Sequence, residues 1–126
     1  MAIAPTVLLL VNGLYDLLCA IAIASRSDTL FARLHTGMFT SAEPFQEPAT
    51  RNLLANWIFL YGLVRIAGGL SHGQGRADHI LQILVVCTYV LEIQCLTAMG
   101  HDLILWKFWT TALLAFLCSL CVLLLE

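Results

Sequence analysis

An arginine stands inside a hydrophobic run of membrane-spanning length. Residues 51–70, RNLLANWIFLYGLVRIAGGL, carry Arg65 among leucine, isoleucine and valine. A guanidinium at membrane depth costs roughly 2.5 kcal/mol or more, so it is retained only where it reaches an interface or finds a partner within the protein. The chain has to be organised around that requirement. Three further apolar runs carry charges of their own, the possible counterparts Asp16 and Glu92 and a second cation, Lys107.

The composition agrees with a chain built for lipid. Of 126 residues, 60% are hydrophobic and 11% charged, and the mean hydropathy is +0.89, well outside the range of soluble domains. Six Lys and Arg against eight Asp and Glu leave no basic stripe, which argues against nucleic acid as a partner. The five cysteines, Cys19, Cys87, Cys95, Cys118 and Cys121, all fall in apolar runs, where cysteine packs as a small hydrophobe. Redox compartment is therefore not legible from them.

Hydropathy and helix-end signals predict four spans, at about residues 5–24, 52–70, 79–98 and 103–125. In the first, Pro5 suits a helix start, and Asn12, Asp16, Ala20 and Ala24 recur every fourth residue, with Gly13 beside them, to mark one inward face. This run is expected to be retained rather than cleaved as a signal peptide. No basic residue precedes it, and Asn12 and Asp16 interrupt it despite the small residues Ala22 and Ala24. The second span aligns Gly62, Arg65 and Gly69, and the third aligns Thr88, Glu92 and Cys95. In the fourth, Thr111, Ala115 and Ser119 form a small-xxx-small ridge of the kind that lets helices approach closely.

The connection at residues 25–51 contains Pro44 and Pro48, with Ser27 and Asp28 as N-cap candidates for a short amphipathic turn at residues 29–35. That turn reads either as an interfacial helix or as a loop with a few apolar anchors. The other connections are short, so neighbouring spans should run antiparallel. The expected fold is all-α: an integral membrane four-helix antiparallel bundle forming a single domain. Arg26, Arg33 and Arg51 against Arg76 place the long loop on the cytoplasmic side, and Trp57, Trp106 and Trp109 suit the aromatic belt at that boundary.

Helical rise puts Arg65 about 8 Å, Asn12 about 10 Å and Asp16 about 16 Å from the side bearing the termini. From the opposite side, Lys107 lies about 6 Å deep and Glu92 about 9 Å. These depths predict two internal ion pairs: Asp16 with Arg65, directly or through Asn12, and Glu92 with Lys107. The alternative, a proton path or an acid/base site, lacks the broken helix or inverted repeat that marks midplane sites in transporters. His35, His72, His79 and His101 lie near predicted helix ends rather than in an HxxxH pair, so no metal site is expected and a bound tetrapyrrole, though open, has no support from them. Cys118 and Cys121 have CxxC spacing, but in an apolar helix with no electropositive surround.

The segments Asp28-Thr29-Leu30-Phe31 and Arg33-Leu34-His35-Thr36-Gly37, then Ala49-Thr50-Arg51, Trp57, Val64-Arg65 and Tyr89-Val90-Leu91-Glu92, occur in an order and spacing that resembles the ergosterol biosynthetic protein 28 family, over about residues 28–100. The resemblance implies a small four-span protein of the endoplasmic reticulum that tethers the enzymes of sterol C4-demethylation without being a catalyst. Its partners would be other integral membrane proteins and membrane lipids. No cofactor is expected, although a lipid or sterol could be bound. Two other functions fit the same architecture. One is an accessory subunit of a respiratory or photosynthetic complex in the mitochondrial inner membrane or thylakoid. The other is a sterol- or lipid-binding isomerase using Glu92 or Asp16 as acid/base. For a tether, either the ridge of Thr111, Ala115 and Ser119 or the opposite aromatic surface of Trp106 and Trp109 should contact the partner.

Overall fold

The computed structural model describes residues 3–25, 47–73, 79–98 and 104–124. They form four helices: α1 (Ile3–Ala24), α2 (Pro48–Gly73), α3 (His79–Ala98) and α4 (Leu105–Leu124). Each is long and apolar enough to cross a membrane, and the chain is an all-α, four-helix membrane protein. The amphipathic turn expected at residues 29–35 lies outside the described residues, as do His35 and His101.

The helix ends follow from local chemistry. Pro48 opens α2 at a position where its missing N–H has no intrahelical role. The carbonyl of Glu47 accepts the amide of Arg51 at 3.0 Å, and the Glu47 carboxylate accepts the Thr50 hydroxyl at 3.3 Å. This start lies ahead of the expected residue 52, and α2 also continues past residue 70 to Gly73. At its far end, His72 is buried and lies 3.4 Å from Gln82 of α3. Packing against α3 thus accompanies the last turn of α2, in a segment whose glycines and serine suggest a loop.

The α1 and α2 helices run antiparallel and meet backbone to backbone. A Cβ added at Gly62 would lie 2.8 Å from the Gly13 carbonyl oxygen, and one added at Gly13 would lie 2.7 Å from the carbonyl of Gly62 and 2.6 Å from Ile66 Cγ1. Only glycine fits such an approach, as expected where association depends on close packing rather than on withdrawal from water. Along the same seam, Cys19, Ala20 and Ile23 pack with Ala55 and Ile58. A second cluster, Leu9, Val85, Tyr89, Ala115 and Val122, joins α1, α3 and α4. The third helix is antiparallel to the second: Trp57 meets Cys95, Arg65 meets Thr88, and His72 meets Gln82. Large apolar side chains, among them Val7, Leu14, Leu63, Ile83, Leu113 and Phe116, cover the outside, as lipid contact requires.

The ridge on α4 is placed differently from the sequence expectation of a partner contact. Ala115 is buried in the second cluster, and Thr111 and Ser119 are half-buried. The Ser119 hydroxyl donates to the Ala115 carbonyl at 2.8 Å. The small side chain of Ala115 is used to seat α4 on its own bundle, so the surface that remains outward on this helix includes Trp106 and Trp109, both 67% exposed. Ala115→Phe is therefore expected to unseat α4, with a loss of about 1–3 kcal/mol from overpacking. Faster proteolysis of α4 in detergent would register it, and unchanged protease resistance would show that the site has room.

Candidate functional site: a buried arginine with two carboxylates

Arg65 is the largest fully buried side chain among the described residues, at 1% exposure. Its guanidinium is divided among three groups on two neighbouring helices. Nη1 donates to Asp16 Oδ2 of α1 at 2.5 Å, Nη2 donates to Glu92 Oε2 of α3 at 2.7 Å, and Nε donates to Thr88 Oγ1 of α3 at 3.0 Å. The planar fork of arginine allows this, because its donors point in fixed and different directions, whereas a lysine offers one compact charge.

The groups around the fork are themselves held. Thr88 donates its hydroxyl proton to the carbonyl of Val85 at 2.6 Å, which leaves an oxygen lone pair facing Arg65. The Tyr89 ring lies 3.9 Å from the guanidinium carbon, centroid to Cζ, and Tyr61 presents a second ring at 5.5 Å. Such contacts strengthen when water is excluded. Tyr89 in turn donates its hydroxyl to Asn12 Oδ1 at 2.7 Å, so the polar face of α1 contributes both Asp16 and Asn12. One turn beyond Glu92, Trp57 Nε1 donates to Cys95 Sγ at 3.2 Å and ties α2 to α3 again.

The site thus brings together Asp16, Asn12, Arg65 and Glu92, and leaves Lys107 out. Glu92 was expected opposite Lys107, but its carboxylate is bound by Arg65. The reason is register. Because α2 runs on to Gly73, Arg65 lies about 12 Å from that end rather than about 8 Å, and the antiparallel pairing sets it against Thr88 with Glu92 one turn away. Lys107 lies near the start of α4 with its ammonium 5.5 Å from the centroid of the Trp106 ring. Asn12 does not bridge Asp16 and Arg65, which meet directly. Instead it holds the tyrosine that covers the arginine.

The aromatic part of the site was not anticipated. Tyr61 stands four residues before Arg65 on the same helix, a spacing that places side chains on one face, and this was the available signal. Tyr89 had a similar one, standing three residues before Glu92. Among the described residues no group of three or more His, Cys, Asp or Glu side chains is arranged to hold a metal ion. The cysteines are free thiols: Cys19 is buried in the α1–α2 seam and Cys118 packs against the second cluster, while Cys87 faces outward.

Chemically, the arrangement fixes three helices through one cation. Each carboxylate has an oxygen occupied by a charge-assisted hydrogen bond, and the guanidinium is surrounded by groups that are themselves oriented. Such a network is rigid and sensitive to loss of any member. Comparison with known proteins adds no relative: no family model matches the chain, and no curated protein or solved structure matches it.

Proposed function

We propose that this protein is a non-catalytic four-span membrane scaffold that holds partner membrane proteins in a complex, of the kind that the resemblance to the ergosterol biosynthetic protein 28 family suggests for sterol C4-demethylation enzymes. The observation that carries the reading is the engagement of both intramembrane carboxylates by Arg65. An isomerase-like reaction would need an acid/base free to exchange a proton with substrate. Asp16 is 2% exposed and bonded to the guanidinium, so using it would first require breaking the contact between α1 and α2. The polar groups gathered at Arg65 serve the chain's own cohesion, and the outer surface carries many large apolar and aromatic side chains.

Trp106 and Trp109 are the contact surface in this reading. Both are indole side chains near one end of α4, suited either to the lipid headgroup boundary or to a protein partner. In the endoplasmic reticulum the partners would be sterol-modifying enzymes. In the mitochondrial inner membrane or thylakoid they would be subunits of a respiratory or photosynthetic complex. Membrane fractionation followed by mass spectrometry of the gently solubilised complex distinguishes the two. Trp109→Ala is expected to weaken retention in that complex by about 2 kcal/mol, roughly thirtyfold, as for an aromatic interface anchor, while the purified bundle keeps its helicity. A purified monomer with a complete sterol-isomerising activity, or co-purification unchanged by Trp109→Ala, would contradict the reading.

A further inference from the structure

We infer that the seam between α2 and α3 at Glu92 is a docking site for a partner transmembrane helix carrying a lysine or arginine at matching depth. The inference rests on the scaffold reading and adds where the partner sits and which side chain it brings. It starts from a count of charges. Asp16 and Glu92 share one guanidinium, so with both carboxylates ionised the cluster has one negative charge in excess at membrane depth, where uncompensated charge is unfavourable. Among the described residues, the ion pairs of both carboxylates are with Arg65. Arg51 is fourteen residues from Arg65 on α2, about 21 Å by helical rise. Lys107 is in the first turn of α4, beside Trp106.

The two carboxylates are not equivalent. The Asp16 side chain is 3% exposed and that of Glu92 22%. Arg65 takes Oε2 of Glu92, and the Glu92 side chain keeps its partial exposure on a helix where Val90 and Leu91 beside it face outward. Glu92 is six residues from the end of α3, about 9 Å along the helix, too deep for its carboxylate to be treated as a headgroup contact. An incoming ammonium or guanidinium would complete the charge balance there, and the Trp57–Cys95 hydrogen bond one turn away keeps α2 and α3 together as a preformed surface. Charge complementarity selects a basic helix over a purely apolar one, because lipid already satisfies an apolar surface as well as leucine does.

The test uses the full chain in phosphatidylcholine vesicles with synthetic leucine helices of about 20 residues, each labelled with a dansyl acceptor for energy transfer from the chain's tryptophans. One helix carries a single lysine about 9 Å from its end, one a glutamate at that place, and one only leucine. The lysine helix is expected to associate about tenfold more tightly than the leucine helix, in line with one intramembrane polar contact, and the glutamate helix no better than leucine. Glu92→Gln should erase the lysine preference. The comparison of peptides on the unaltered chain needs no variant to fold. Equal association of lysine and leucine helices, or a preference that survives Glu92→Gln, would overturn the inference. So would two further results. Self-association of the chain without peptide, lost in Glu92→Gln, would mean that a second copy closes the seam. An infrared band of a protonated carboxyl, lost in Glu92→Gln, would mean that a proton supplies the balance. Because the peptides are defined, a negative result here leaves the Trp109 co-purification test of the scaffold reading standing, and the reverse also holds.

Discussion

Arg65→Leu is expected to be the most damaging single substitution in the chain, costing about 3–5 kcal/mol, the range for breaking a buried pair and stranding its partner. Here two carboxylates are stranded at once, Asp16 and Glu92, and the Thr88 hydroxyl and the Tyr89 ring lose the group they are arranged around. The size follows from asymmetry rather than from the strength of the bonds: an ion pair in lipid contributes modestly compared with an apolar pair, but half of one is costly. Arg65→Lys should fall between wild type and Arg65→Leu, since a lysine keeps the charge but cannot fork to α1 and α3 together. Unfolding in mixed micelles of mild detergent and dodecyl sulfate gives both values. Equal stability of the two variants would mean that charge alone matters and the fork does not.

The second large effect belongs to the glycine contact. Gly62→Val is expected to separate α1 from α2, because its first carbon would already lie 2.8 Å from the Gly13 carbonyl oxygen, and 3.1 Å from the Asp16 Cβ. Neither neighbour can yield cheaply. One is backbone, and the other belongs to the residue that Arg65 holds. A cost of about 1–3 kcal/mol or more is anticipated for overpacking of this kind, together with loss of the Asp16–Arg65 contact one turn away. Cysteine cross-linking across the seam, for example between the native Cys19 and Ile58→Cys, which share one packed cluster, should drop sharply in Gly62→Val. Undiminished cross-linking would show that the helices can shift apart without losing register. Gly62→Ala should show the same direction with a smaller effect.

The two effects are coupled through geometry. Gly13 and Gly62 bring the α1 and α2 backbones together, and that approach sets Asp16 within reach of an arginine one turn further along α2. Sequence periodicity was sufficient for this half of the site. Asn12, Asp16 and Ala20 repeat at the helical interval, Gly62, Arg65 and Gly69 do likewise, and an extended arginine spans the gap between depths of about 8 Å and about 16 Å. The other half was obscured by helix length. With Gly68, Gly69, Ser71 and Gly73 at its end, α2 reads as stopping near residue 70, whereas packing carries it to Gly73. Three residues are enough to move Arg65 inward and change the partner of Glu92. The ridge of Thr111, Ala115 and Ser119 illustrates a different limit. Small residues at intervals of four announce a close helix contact but not its identity, and a ridge of Thr111, Ala115 and Ser119 suits contact with the chain's own bundle as well as with a partner.

Rigidity links this packing to the proposed role. A scaffold has to present its outer surface in a fixed arrangement, and three helices held by one forked cation, with its carboxylates, hydroxyl and aromatic rings in place, do not slide past one another without breaking several contacts together. By the same argument, the outward aromatic pair on α4 and the partly exposed Glu92 side chain on α3 are positioned relative to a core that does not have to reorganise when a partner arrives, which limits the ordering cost of association.

The claim on which the rest depends is that Arg65 is retained as the shared counterion of Asp16 and Glu92. The most direct measurement compares the unfolding free energy of Arg65→Leu with that of the triple variant Asp16→Asn, Arg65→Leu, Glu92→Gln in the same micelles. If the arginine serves the two carboxylates, neutralising them removes the stranded charges, and the triple variant is more stable than the single one despite its additional substitutions. A triple variant no more stable than Arg65→Leu, or an Arg65→Leu protein as stable as wild type, would contradict the account.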